Sequence, residues 1–263
     1  MDSYRGIRAL VTGASSGIGR AIAADLARRG ANLVLTARSE ITLERIAAEI
    51  REDHGVDVEV IVLDLLEEAA PQRLYTATSR GRLPIDLVVN NAGIGTYGVF
   101  GKIRADREKA MIRLNVEVPM ALTALYLPPM VKRGTGGIIN VASVLAFLPS
   151  PYMAAYGASK AFLLSFSESV AAEVRGTGVR IMALCPGATR TEFHQRAGIS
   201  KKGPDIKYED PSDVARHALD AALAGRNLYV SGRLNWLVTQ FPRFAPRKLT
   251  AWIMERVRRP KGV

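Results

Sequence analysis

Tyr156 and Lys160 stand four residues apart in "AYGASKAF" (155–162), separated only by Gly157, Ala158 and Ser159. Residues at i and i+4 share one face of a helix. A free phenol titrates near 10, which makes it a poor acid–base group at neutral pH. An ammonium beside it stabilises the phenolate. The spacing therefore permits a proton-transfer pair, and by itself it equally fits an ordinary helix surface. Thirteen residues before the tyrosine, Ser143 closes the apolar run "GGIINVAS", so a hydroxyl stands at the end of an expected strand.

A second group of residues has the chemistry of phosphate binding. In "VTGASSGIGRAIA" (11–23), Gly13, Gly17 and Gly19 lie between an expected strand and an expected helix. Glycine lets the backbone approach a pyrophosphate, and the helix N-terminus presents free N–H groups to it. Ser15 and Ser16 add hydroxyl donors, and Ile18 completes the loop. The second strand ends in "LTARSE", with Ala37 where a ribose-binding carboxylate would stand, followed by Arg38. A guanidinium suits a 2′-phosphate, so the expected cofactor is NADP(H). Asp64, after the third strand with Leu65, is an acceptor for the adenine amino group. In "NNAG" (90–93) the small residues after Asn91, Ala92 and Gly93, let a ligand approach the backbone; turn chemistry is the other reading of the asparagines.

These residues need a frame that brings strand ends together. Apolar runs at 7–13, 31–37, 56–64, 85–93, 136–143, 178–187 and 227–232 read as seven strands. Helical patterns fill 17–29, 40–53, 67–80, 106–132, 154–175 and 210–225. Near-continuous apolar strands indicate a parallel sheet covered on both faces. The expected fold is a single-domain, doubly wound α/β fold with a sheet of about seven strands. Residues 1–232 form the expected catalytic domain, in which the polar stretch 190–209 is a substrate loop. Residues 233–263 form a basic, amphipathic C-terminal extension.

Composition narrows the classes. The single cysteine, Cys185, excludes an internal disulfide and fits a reducing compartment. His54, His194 and His217 are scattered, so no metal is expected. The first strand begins within a few residues of the N-terminus and leaves no room for a signal peptide, hence an expected cytoplasmic location. Glu117, Pro119, Pro128 and Pro129 make 116–131 a poor membrane span. The net charge is +11, and from Arg226 onward nine basic residues face one acid, Glu255. Charge gathered at one end, without a recognisable nucleic-acid module, argues against nucleic acid. It leaves peripheral attachment to an acidic membrane open for the extension.

Taken together, "TGASSGIG" (12–19), "NNAG" (90–93), Asn115 in "RLNVEVPM", Ser143, "YGASK" (156–160) and "PGATRT" (186–191) resemble, in order and spacing, the short-chain dehydrogenase/reductase family. The resemblance covers roughly residues 5–192 and the later helix and strand. It implies a Rossmann-like fold with hydride delivered by a nicotinamide cofactor. It implies Tyr156 as general acid in reduction and base in oxidation, and Lys160 on the nicotinamide ribose. Ser143 would hold the substrate oxygen, and Asn115 would bend its helix and hold a relay water. Pro186, Gly187, Thr189 and Thr191 would line the nicotinamide.

Ile94, Tyr97, Leu145, Phe147, Tyr152 and Phe193 are the candidate pocket residues, and they point to a hydrophobic carbonyl or alcohol substrate. NADPH-dependent reduction of a ketone or 3-oxoacyl compound is the leading reading. Alcohol or hydroxysteroid oxidation and non-catalytic nucleotide sensing are the alternatives. A homodimer or homotetramer is expected through 106–132 and 154–175, with Ala154, Ala155, Gly157 and Ala158 allowing close packing. The extension would close the pocket, build an interface or lie on a membrane.

Overall fold

The alternation of apolar runs and amphipathic stretches folds into a layered sandwich. The structure, a computed structural model, describes residues 2–80, 83–199 and 208–260. In chain order its elements are β1 (Arg8–Thr12), α1 (Gly17–Arg28), β2 (Asn32–Ala37), α2 (Glu40–His54), β3 (Val58–Val62), α3 (Ala70–Ser79) and β4 (Leu87–Asn90). Then come α4 (Ala105–Ile112), α5 (Val118–Arg133), β5 (Gly136–Val141), α6 (Ala154–Glu173), β6 (Val179–Cys185) and the short α7 (Phe193–Arg196). The chain continues with α8 (Pro211–Leu223), β7 (Leu228–Val230), α9 (Arg233–Gln240) and α10 (Arg247–Arg258).

The seven strands are parallel, in the order β3-β2-β1-β4-β5-β6-β7. The winding reverses between β1 and β4, and in such sheets the crevice at that switch point is where ligands bind. Side chains alternate between the two faces of each strand. Ala9, Val11, Leu33, Leu35 and Val89 pack against Ile22 and Leu26 of α1, Leu43 and Ile46 of α2, and Leu219 of α8. Leu10, Val34, Val88 and Ile138 pack against Leu74 of α3, Leu122 and Met130 of α5, and Val170 of α6. Each fully buried side chain of this size contributes about 1.5–3 kcal/mol. Both faces are therefore committed, and the open carboxyl edge is left for a ligand.

Local chemistry sets the helix ends. Ser39 caps α2 through the Thr42 N–H, and Gly55 ends it at φ 64. Asp210 accepts from the Ser212 N–H with Pro211 in the first turn of α8.

The helix expected over 106–132 is not uniform. Between α4 and α5 the backbone makes a π-helical turn over Arg113–Glu117. Pro119 explains it: proline has no N–H to return to the Asn115 carbonyl, and its ring crowds that oxygen. By length and composition the 105–133 run could cross a membrane, at mean hydropathy 1.2. Here it covers the sheet, with Leu122, Tyr126 and Met130 buried.

Gly157 was expected on a subunit-packing face. It instead points inward, where a Cβ would lie 2.7 Å from Ser150 Cβ, so it serves packing within the chain. The extension folds back as α9 and α10. α9 lies on the 3-10 turn Val144–Phe147, and the end of α10 reaches the carboxyl edge of the sheet.

Candidate active site

The carboxyl ends of β1, β2, β4, β5 and β6 open into one cleft of about 1490 Å³. A site for one drug-sized ligand takes about 300–1,000 Å³, so a dinucleotide and a second molecule fit together.

The glycine loop forms one wall. Gly13 (φ 65) and Gly17 (φ 57) adopt a left-handed backbone that side chains resist. Ser16 is the N-cap of α1 but makes no side-chain cap bond. Its hydroxyl and the first N–H groups of the helix are left for an anion, with Ser15 and Ile18 beside them.

Gly19 lies beneath the loop instead of on the cleft. A Cβ there would fall 2.3 Å from Asn91 Nδ2 and 2.5 Å from the Gly13 carbonyl. Asn91 Nδ2 donates to the Thr12 and Gly13 carbonyls, and Thr12 Oγ1 accepts from the N–H groups of Asn91 and Ala92. Asn91 thus braces the loop from below. Gly19→Ala must displace that brace. It is expected to cost about 1–3 kcal/mol of stability by overpacking and to weaken nucleotide binding in parallel, as thermal melts and a fluorescence titration would read.

At the far end, Arg38 is largely exposed and its Nη1 stands 4.0 Å from Asp64 Oδ2. Asp64 Oδ1 accepts from the Leu66 N–H at 2.9 Å, and Leu65 is buried on the cleft floor. No carboxylate occurs at the end of β2 itself.

The reacting end lies between β5 and α6. Ser143, after β5, accepts from the Leu145 N–H at 3.2 Å. Tyr156 and Lys160 are both buried on α6, with the Lys160 Nζ 5.8 Å from the tyrosine ring centroid. That ammonium donates to the Val141 carbonyl at 2.7 Å. Asn115, in the π turn, accepts from the Ile94 N–H and donates to the Ile94 carbonyl and Ser159 Oγ. It ties the loop after β4, which carries Gly93, to α6.

The electrostatics differ from the simple expectation that a cation lowers the phenol. Burial pushes Tyr156 up to about 12, against opposing pulls from Ser143 and the positive charge of Arg258. Burial pushes Lys160 down to about 8. Desolvation disfavours each charged form and is the largest influence on both. Cys185, buried beside this site, is also pushed up to about 12 by burial, which keeps the thiol unreactive.

The loop after β6 completes the wall. The Val144 N–H donates to the Pro186 carbonyl, the Gly187 N–H donates to Ser231 Oγ, and Thr189 Oγ1 donates to the Gly187 carbonyl. The Thr191 methyl faces Gly17. Gly187 is crowded by Asn235 of α9, whose Nδ2 would lie 2.1 Å from a Cβ. Asn235 in turn donates to Glu209 and the Ser231 carbonyl.

Of the residues expected in the substrate pocket, Ile94, Tyr97, Leu145 and Phe193 line the cleft. The Phe193 ring is 5.2 Å from that of Tyr156. Phe147 and Tyr152 do not line it. Phe147 packs on Ala142, Leu164 and Cys185, and the Tyr152 hydroxyl donates to Glu255. Within the expected loop 190–209, residues 200–207 lie outside the described residues. His194, within the expected substrate loop, and Val257 and Arg258, within the extension expected to close the pocket, line the cleft, as does Met153, which no sequence pattern marks.

Comparison with known proteins agrees with this fold. The family model described as short chain dehydrogenase matches residues 8–202. A very-long-chain 3-oxoacyl-CoA reductase of Anas platyrhynchos is 35% identical over 218 residues, covering 81% of this chain and 68% of that protein. A short chain dehydrogenase of Pseudocercospora fijiensis is 38% identical over 191 residues, 72% of this chain. This chain spans 62% of that fungal protein's length. Among solved structures, a short-chain dehydrogenase from Sphingobium yanoikuyae in complex with NADPH superposes with a TM-score of 0.82 at 32% identity, covering 98% of each chain. A Burkholderia phymatum relative in complex with NAD superposes equally well, at 25% identity over 92% of this chain and 95% of that one.

Proposed function

Because the chain belongs to the short-chain dehydrogenase family, and is thus an oxidoreductase built around a nicotinamide cofactor, we propose that it is an NADPH-dependent reductase of hydrophobic ketones or 3-oxoacyl compounds. The observation that carries this reading is the meeting of Ser143, Tyr156 and Lys160 in the same cleft as the glycine loop.

The residues present fit a dinucleotide phosphate. The uncapped N-terminus of α1 would take the pyrophosphate, Arg38 the 2′-phosphate and Lys160 the nicotinamide ribose hydroxyls. When bound, the cofactor supplies the hydride. Ser143 would orient the carbonyl oxygen of the substrate by a hydrogen bond, and Tyr156 would hand its phenolic proton to the oxygen as negative charge develops there. Asn115 holds the loop after β4 against α6 and so keeps Lys160 and Tyr156 in register. A phenol pushed up to about 12 stays protonated across the physiological range, the form that donates a proton in reduction.

Titration with NADPH and NADH, beside turnover on a panel of hydrophobic ketones and 3-oxoacyl thioesters, tests the reading. Arg38→Asp is expected to weaken NADPH binding about 10- to 100-fold, the worth of a charge-assisted hydrogen bond, and to leave NADH nearly unchanged. Equal loss of both would remove Arg38 from the phosphate site.

We also propose a homo-oligomer, because Met120, Val131 and Phe162 expose apolar surface along α5 and α6. Light scattering that gives a monomer would end that proposal.

A further inference from the structure

The arginines of α10 differ in where they point. Arg256 lies over the Trp252 ring at 4.2 Å, and Arg259, which follows α10 and lines the rim of the cleft, bonds Glu255 at 2.8 Å. Both are exposed. Arg258 turns back into the cleft that holds Tyr156. Its backbone carbonyl accepts from the Tyr97 hydroxyl at 2.7 Å. Its Nη1 is 3.1 Å from Met153 Sδ, a weak acceptor. Its Nε is buried and has no hydrogen-bond partner among the described residues. No described carboxylate lies within 4.0 Å of it. His194 on α7 lines the same cleft, and its Nδ1 is likewise buried without a partner.

A guanidinium carries five donors, and burying its charge without a counter-charge is unfavourable. The cost is visible in the direction of titration: burial holds both Arg258 and His194 below their usual values. Arg258 lines the cleft together with Tyr97, Tyr156 and His194, and its charge acts on all three. The neighbouring walls, Ile94, Leu145 and Phe193, are apolar and offer it no anion. Glu192, the lining carboxylate beside Phe193, is paired with Arg196, so an unpaired cation and a free imidazole nitrogen beside apolar walls match an amphiphilic ligand that brings its own carboxylate.

We propose that Arg258, with His194 beside it, binds a carboxylate of the substrate, so that the preferred substrates are hydrophobic oxo acids. This rests on the reductase reading of the same cleft and narrows its substrate class. Arg258 is then a specificity-determining residue supplied by the C-terminal extension.

Calorimetry on the full-length, NADPH-loaded protein tests it, with octanoate and its neutral counterpart octanamide as probes. The wild type is expected to bind octanoate at least about 10-fold more tightly than octanamide, as a charge-assisted bidentate pair allows. Arg258→Gln is expected to abolish that preference and to leave octanamide binding unchanged; Arg258→Lys is expected to keep part of it. A wild type without the preference, or an Arg258→Gln protein that retains it, overturns the proposal. If Arg258→Gln binds neither probe, Arg258→Lys decides: a retained octanoate preference supports the subsite, and its loss removes it. Binding is read without turnover, so the two readings separate. A protein that prefers octanoate but reduces no carbonyl loses only the reductase assignment. One that reduces neutral ketones without any acid preference loses only the subsite.

Discussion

Tyr156→Phe is expected to lower kcat by about 10²- to 10⁴-fold, the usual worth of a positioned proton donor, and to leave nucleotide binding and folding almost intact. The phenol is buried, and burial pushes it up to about 12, so at neutral pH it acts as a fully loaded acid. The ring has a second task. It packs with Met111, Leu145 and Met153 and tilts against Phe193. Phenylalanine preserves all of these contacts and removes only the hydroxyl. Losing that one polar group should change stability by no more than about 1 kcal/mol.

The pH dependence has a definite sign. A phenol that titrates near 10 unfolded and near 12 folded binds its proton more tightly in the native state. The wild type therefore loses stability as pH rises from about 10 to about 12. Tyr156→Phe should show a shallower loss in that window, with Tyr126 still contributing because burial raises it to about 12 as well. A mutant that retains turnover with hydrophobic ketones would remove Tyr156 from proton transfer. One that loses NADPH binding would show that the ring, not the hydroxyl, shapes the nucleotide site.

What could be read from the sequence was what local patterns encode. All seven strands appear within two or three residues of their expected positions, because a strand buried on both faces is a continuous apolar run. The glycine loop, Ser143 and the Tyr156–Lys160 pair could be read for the same reason: each sits at the end of such a run or on one helix face. The errors concern side chains whose direction depends on distant neighbours. Phe147 and Tyr152 precede α6 in sequence, yet the turn after Ser143 leaves Phe147 half-buried against a core cluster, and the Tyr152 hydroxyl is engaged by Glu255. Gly157 is small because Ser150 lies against it, and Gly19 because Asn91 does. Arg258 is about a hundred residues from Tyr156, and only the fold-back of α10 brings its charge to the phenol. Of the roles expected for the extension, closing the pocket is the one that Arg258 and Arg259 fit, since both line the cleft.

Lys160→Met is the sharpest test of how this site stores energy, because stability and activity should move in opposite directions. Methionine matches the length and much of the volume of the lysine stem, so packing against the end of β5 is kept. At pH 7 the wild type holds a buried ammonium whose pKa has fallen to about 8 from 10.5. At 1.36 kcal/mol per unit, that depression corresponds to about 3 kcal/mol of unfavourable burial. The substitution also removes the bond from Nζ to the Val141 carbonyl, and an unsatisfied carbonyl costs about 1–3 kcal/mol. The difference leaves Lys160→Met up to about 2 kcal/mol more stable than wild type at pH 7. Between about pH 8 and 10.5 the unfolded lysine still binds its proton and the folded one does not, so wild-type stability rises there and the gap should close. At pH 7, where the wild type still holds its ammonium, activity should fall by at least about 100-fold, because no cation remains to hold the ribose hydroxyls or steady the proton transfer. Urea melts at pH 7 and pH 10 with steady-state rates on the same samples would show both effects. A Lys160→Met protein less stable than wild type at pH 7 would mean that the ammonium is held by favourable contacts, and that the site carries no such strain.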